Sequence, residues 1–232
     1  MHAVARAVLR ASAAGVLVAM VVAGTPTRTT PASADFTPID AQAALAVLSR
    51  STVQVMAFGC NLQRHDGTAV AIGQDQLLTN AHVVSGSRLV DIAADAAATR
   101  IGGQPLVAPA GDVAVVADSG PDLPALALAA EDPAPGSPVR VAGFPAGGPG
   151  LTVVATDVTD YVDGQPVGQP WPVMRLAASV RPGMSGGPVL DAAGRLAGIV
   201  FGNELPDGRA LVVPVSEVRK LLAGHALAPS PC

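Results

Sequence analysis

Ser185 sits in the run Arg181-Pro182-Gly183-Met184-Ser185-Gly186-Gly187-Pro188, where few side chains stand between the backbone groups. A serine hydroxyl is a poor nucleophile at neutral pH. It becomes effective when a base takes its proton and N–H donors hold the oxyanion that forms. The glycines flanking Ser185 permit a tight turn that aims two backbone N–H groups at one point. An imidazole and a carboxylate precede it in the chain: His82 within Leu77-Leu78-Thr79-Asn80-Ala81-His82-Val83-Val84, and Asp112 within Gly111-Asp112-Val113-Ala114-Val115-Val116. Taken singly these are a turn serine, a surface or core histidine and a capping aspartate, and a chain with 25 glycines produces Gly-x-Ser-x-Gly by chance. Together, in the order His, Asp, Ser and followed by Gly187-Pro188, they describe acyl transfer.

At these motifs the chain resembles the chymotrypsin-like clan of serine proteases, whose members keep that order. Within the clan it is similar to the bacterial HtrA/DegP-type proteases and the MarP-type periplasmic acid-resistance proteases of actinobacteria. The resemblance implies that Ser185 attacks a peptide carbonyl, His82 moves the proton and Asp112 orients the imidazole. It implies an oxyanion hole from the N–H groups of Gly183 and Ser185, and a substrate pocket involving Ser179, Val180, Val200, Phe201 and Gly202. Ser179 stands where base-selecting members carry an acid, so the pocket is expected to take uncharged residues of medium size. Met184 stands where digestive members carry an acid that pairs with a new N-terminus, which a thioether cannot do; HtrA relatives usually have Asn there. Val84 replaces a cysteine common after the His motif.

Two other readings compete. Ser185, Asp207 and His225 follow the order of an α/β-hydrolase, but the residues after Ser185 read as a strand where a nucleophile elbow needs a helix. The rival from another class is a catalytically silent fold of the same type that binds a protein or a cell-wall component. Lys220, the only lysine, belongs to the terminal helix, and the histidines beyond the leader (His65, His82, His225) form no His-Glu-x-x-His motif. No metal and no cofactor are expected.

The elements that must position these groups are short. Aromatic residues make up 3% and charged residues 14%, and 21 Pro with 25 Gly interrupt the chain; a core of Val, Leu, Ile and Ala built from many brief strands suits this composition. Strands are expected at 52–58, 68–72, 76–79, 88–92, 99–101, 105–108 and 113–117, then at 138–144, 151–161, 172–180, 187–190, 195–201 and 210–214. Helices are expected at 38–50, capped by Asp40, and at 215–223. With the resemblance this gives a mostly β protein of two packed six-stranded antiparallel β-barrels, with a short N-terminal and a C-terminal helix. The expected division is a leader over 1–34, the helix and first barrel over 35–120, a connection over 121–138 containing five prolines, and the second barrel, helix and extended tail over 139–232. No length follows for the PDZ module of many HtrA relatives.

Residues 1–34 read as a secretory signal: Arg6 and Arg10, an apolar stretch over 11–24, and Ala32-Ser33-Ala34 before a cleavage site. A retained anchor is the alternative. Cleavage removes Arg6, Arg10 and Arg28 and no acid, so 14 basic residues fall to 11 against 18 acidic, a net charge of −7. That balance argues against nucleic acid and anionic lipid as partners, since both need clustered cations. A protein or peptide substrate, in the periplasm or outside the cell, is the expected partner; oligomeric state is not legible. Cys60 and Cys232 are an even pair in an exported chain, which favours a disulfide between them over free thiols or pairing between chains. The resemblance supports the bridge.

Overall fold

The computed structural model describes residues 40–61, 63–93, 99–120, 122–224 and 227–230. The proposed leader, His225 and Cys232 lie outside the described residues. Helix α1 (Ala41–Ser51) begins where Asp40 accepts a hydrogen bond from Ala43 N at 2.7 Å, and it buries Ala44 and Leu48. Strands β1 (Thr52–Gly59), β2 (Arg64–Gly73) and β3 (Gln76–Thr79) follow as a meander, then the four-residue helix α2 (Ala81–Val84). The first half continues with β4 (Ser87–Ala93), β5 (Thr99–Ile101), β6 (Leu106–Val107) and β7 (Ala114–Ala117). In β1, Val53, Val55 and Ala57 are buried while Gln54, Met56 and Phe58 are only partly so, the two-residue period of a sheet with one face on a core.

The second half contains β8 (Pro138–Gly143), β9 (Thr152–Val162), β10 (Val173–Leu176), β11 (Pro188–Leu190), β12 (Leu196–Asn203) and β13 (Ala210–Pro214), then α3 (Val215–Ala223) and β14 (Ala228–Pro229). Strands β8 to β13 close as a six-stranded antiparallel barrel in the order β10-β13-β12-β11-β8-β9. Its interior holds Val141, Met174, Leu176, Val189 and Val212. A further apolar cluster, including Leu48, Val70, Leu78, Leu190 and Ile199, joins residues of both halves and glues them face to face. No helix among the described residues is long and apolar enough to cross a membrane.

The first half differs from a closed six-stranded barrel. Its sheet has eight strands in the order β14-β6-β7-β3-β2-β1-β4-β5. The tail, expected to run extended, adds β14 against β6. The seam between β5 and β7 carries no ladder, because the chain turns away through Gly102-Gly103 after only three residues of β5. Gly103 N donates instead to Ala117 O at 2.8 Å, and Arg100 Nε reaches Asp118 Oδ1 at 2.6 Å across the same seam. Within the connection, residues 126–129 make no ladder but a set of single hydrogen bonds: Leu126 N to Ala71 O, and Ala129 N and Ala127 O to Leu196, each 2.8 Å. The connection thereby ties β2 of one half to β12 of the other.

The Arg100–Asp118 pair makes the seam testable. Asp118 is 4% exposed and also accepts from Gly120 N. Burial pushes its carboxyl up, but the Arg100 and Gly120 hydrogen bonds outweigh that and leave it below the usual 3.8. Asp118→Asn is expected to cost about 2–3 kcal/mol at neutral pH, less than for a fully buried pair because Arg100 keeps some solvent. A carboxyl with a depressed folded pKa stabilises above its unfolded value and loses that contribution as pH falls through the folded one. The gap in urea midpoint between wild type and variant should therefore close in acid; a gap constant down to pH 3 would refute the assignment.

Candidate active site

Helix α2 presents His82 by a simple partition of faces. Ala81, Val83 and Val84 are buried and His82 alone is exposed, with 49% of its side chain accessible. Gly67 lacks the Cβ that would stand 2.5 Å from Val83, so the helix beds directly on β2. The fully buried Asn80 at its start donates from Nδ2 to Asp112 O at 2.8 Å. Asp112 lies in the turn before β7, after Gly111 at φ +81°.

The Asp112 carboxylate holds His82 twice. Oδ1 accepts from the His82 main-chain N at 2.8 Å, and Oδ2 is 2.6 Å from the ring Nδ1. A carboxylate facing Nδ1 fixes the proton there and leaves Nε2 with a free lone pair. A loop of the second barrel covers the aspartate's turn: Gln169, buried, accepts from Asp112 N at 3.1 Å. The Trp171 ring lies so close over Gly111 that a Cβ there would fall 1.9 Å from it.

The loop that carries Ser185 is held by hydrogen bonds to two neighbouring strands. Thr68 N donates to Ser185 O at 2.7 Å and Gly186 N to Val200 O at 2.8 Å. Ser185 is thereby seated next to Thr79, three residues before His82; a Cβ on Gly186 would stand 2.3 Å from Thr79 Oγ1. The Ser185 hydroxyl points to Phe201 O at 3.5 Å, its one hydrogen-bond partner among the described residues. That bond is long and weak, so the hydroxyl is only loosely held.

Two N–H groups are left over. Gly183, at φ +89°, follows Pro182, whose O accepts from Ala146 N at 2.9 Å; Met184 O accepts from Gly187 N at 2.9 Å. Because a peptide is planar and trans, each N–H points opposite the preceding carbonyl. The N–H groups of Gly183 and Ser185 thus face away from those bonds, and neither meets an acceptor among the described residues. Met184, where an ion pair is ruled out by chemistry, is 1% exposed and packs in the second barrel's core, with Gly143 making room for it.

The expected pocket residues separate into two groups. Ser179 is exposed, and Phe201 and Gly202 are half-buried, with Phe201 O beside the Ser185 hydroxyl. Val180 is nearly buried, and Val200 is fully enclosed in the barrel core, so it supports the wall through its backbone. Asn203, which the sequence gave no reason to single out, spans the two walls: Val180 N donates to its Oδ1 at 2.9 Å and its Nδ2 donates to Val180 O at 2.7 Å. The helix required by a nucleophile elbow is absent, since Ser185 leads into strand β11, so the α/β-hydrolase reading with Asp207 and His225 is set aside.

At Cys60, the main-chain N donates to Gly86 O at 2.9 Å, and Gly86 N donates to Ser230 Oγ at 2.7 Å. The tail is thus carried to within two residues of its end beside Cys60. No cysteine among the described residues is a free thiol.

A closed β-barrel packed on a second antiparallel sheet, with a His–Asp couple on the sheet and a serine in a glycine turn on the barrel, is the arrangement of a trypsin-like peptidase. Residues 67–199 match the trypsin-like peptidase domain, and the chain belongs to that family. The serine protease Rv3671c (MarP) of Mycobacterium tuberculosis is 33% identical over 194 residues, covering 77% of this chain and 47% of that protein. The chain therefore spans about half the length of this curated relative. The crystal structure of the Rv3671c protease from M. tuberculosis in its active form has a TM-score of 0.71 at 29% identity, over 84% of this chain and 90% of that one. The HtrA-type protease AlgWS227A with a tripeptide shares the fold, with a TM-score of 0.71 at 23% identity over 81% of this chain and 64% of that one. The resemblance first drawn from the motifs around His82, Asp112 and Ser185 is borne out at the level of family.

Proposed function

We propose that the protein is an exported serine endopeptidase that hydrolyses peptide bonds through an acyl-enzyme on Ser185. The observation that carries this reading is the double grip of Asp112 on His82, at 2.8 Å to the main-chain N and 2.6 Å to Nδ1. Ser185 Oγ adds to the peptide carbonyl carbon while His82 Nε2 takes the hydroxyl proton. The carbonyl oxygen becomes an oxyanion that accepts from the Gly183 and Ser185 N–H groups, each donor contributing about 3–4 kcal/mol. The C–N bond then breaks as His82 returns its proton to the leaving amine. Water, deprotonated by the same imidazole, cleaves the ester and restores Ser185.

The long Ser185–Phe201 contact is the one feature that favours a silent binding module instead. A fluorophosphonate probe decides between them: it should label the wild type on Ser185, not label Ser185→Ala, and label His82→Ala far more slowly. Absence of labelling on folded wild-type protein would sink the enzyme reading. Export rests on the leader at 1–34, and the Cys60–Cys232 bridge on the tail's approach to Cys60. Closing so long a loop is worth about 4–5 kcal/mol in the chain-entropy model, with measured values often lower. Labelling the oxidised and reduced protein side by side tests that bridge in the same experiment.

The Asn203 amide bounds the space between Val180 and β12, which favours an uncharged residue of small to medium size before the scissile bond. Peptide-library profiling is expected to show this preference, and Asn203→Ala is expected to admit larger apolar residues. Cleavage after Arg or Lys by the wild type would overturn the pocket assignment.

A further inference from the structure

We infer that Thr68, a first-barrel strand residue, is a positioning residue for the oxyanion loop of the second barrel, holding it in working form through its hydroxyl. The inference rests on the protease reading of Ser185. Thr68 is fully buried, and every polar atom it has is engaged. Its N–H donates to Ser185 O at 2.7 Å and its carbonyl accepts from Thr79 Oγ1 at 2.7 Å. Its Oγ1 accepts from Phe144 N at 2.9 Å and donates to Gly183 O at 2.9 Å. The direction is forced. Phe144 N–H can only donate, so the hydroxyl hydrogen goes to Gly183 O.

The consequence follows from peptide planarity. Gly183 O and Ser185 O are both turned toward Thr68 of the first half, which fixes the Gly183–Met184 and Ser185–Gly186 peptide planes and so brackets the Met184–Ser185 peptide that carries one of the two free N–H groups. Gly183 cannot flip its C-terminal peptide without breaking the Thr68 bond inside a buried contact, where an unpaired carbonyl is costly. The approach is tight: a Cβ on Gly186 would stand 2.0 Å from Thr68 O. Met184 buried beneath the loop completes the clamp from the other side. His82 and Asp112 belong to the same half as Thr68, so docking of the two barrels assembles the base and the oxyanion hole in one event. No charged N-terminus is needed for the loop to hold its shape.

The test compares Thr68→Val, which keeps the shape and the peptide N–H but removes the hydroxyl, with Thr68→Ser, which keeps the hydroxyl. Thr68→Val is expected to lower kcat by about 10²-fold, the size seen on loss of one oxyanion donor, with KM changed little. Affinity for a peptide boronate, whose tetrahedral anion needs the same N–H groups, should fall in parallel. Thr68→Ser should retain most of both. If Thr68→Val does not fold, Thr68→Ala carries the same expectations without pressing an apolar branch on Phe144 N. Wild-type kcat and boronate affinity in the hydroxyl-free variant, or equal losses in Thr68→Ser, would overturn the positioning role. A wild type that neither turns over peptides nor reacts with a fluorophosphonate would overturn the protease reading itself.

Discussion

Replacing Ser185 with alanine is expected to lower kcat on a peptide substrate by about 10⁶-fold, and His82→Ala to do nearly as much. The two losses should not add, because the hydroxyl and the imidazole act as one unit: without the base the serine is not ionised, and without the serine the base has no proton to take. The double variant should therefore match either single one. What remains in all three is the contribution of substrate binding and the free Gly183 and Ser185 N–H groups, about 10³–10⁴ over water. Among the described residues, the other histidine and the lysine are engaged elsewhere. His65 is on β2 opposite Ala57, near the far end of the first sheet, and Lys220 is on α3, paired with Glu217. Single-turnover kinetics with an internally quenched peptide give the measurement. Multiplying losses in the double variant, or more than about 1% of activity left in Ser185→Ala, would mean that the chemistry runs elsewhere.

The parts of this site that were legible in the sequence are those where chemistry demands a residue type. A nucleophile among glycines, an imidazole and a carboxylate in one order announce themselves. Helix α3 was legible in full because its apolar positions repeat at helical spacing up to Gly224, and α1 because Asp40 caps it. Strand β13 was legible because a run of five buried residues ends at a proline. What was not legible is what depends on distant pairing. Thr68 is an ordinary strand threonine until a loop 115 residues later brings Gly183 O to its hydroxyl. Gln169 and Trp171 belong to a loop with no motif, and acquire a role only because the second barrel carries them over Gly111 and Asp112. Asn203 reads as the end of a strand; its side chain matters because Val180 lies opposite. The seam at Gly103 and the pairing of β14 escaped for the same reason, since one or two hydrogen bonds leave no periodic trace in the chain.

Asp112→Asn is expected to cost about 10⁴-fold in kcat while leaving the fold intact. The reason is specific to how this carboxylate is used. Its Oδ1 accepts from the His82 main-chain N–H, which can never be an acceptor, and its Oδ2 faces Nδ1. An asparagine must turn its oxygen toward the main-chain N–H, since the alternative sets two donors against each other at 2.8 Å. The amide NH₂ then faces Nδ1, which is forced to accept. The ring proton moves to Nε2, so the atom that should take the serine's proton already carries one. The variant should thus be isosteric, folded and nearly inert, with the imidazole in the opposite tautomer. Nitrogen NMR of labelled histidine reads that tautomer directly, and stopped assays read kcat. An Asp112→Asn protein that keeps its Nδ1–H tautomer, or loses less than about tenfold in kcat, would show that the carboxylate orients nothing that the reaction needs.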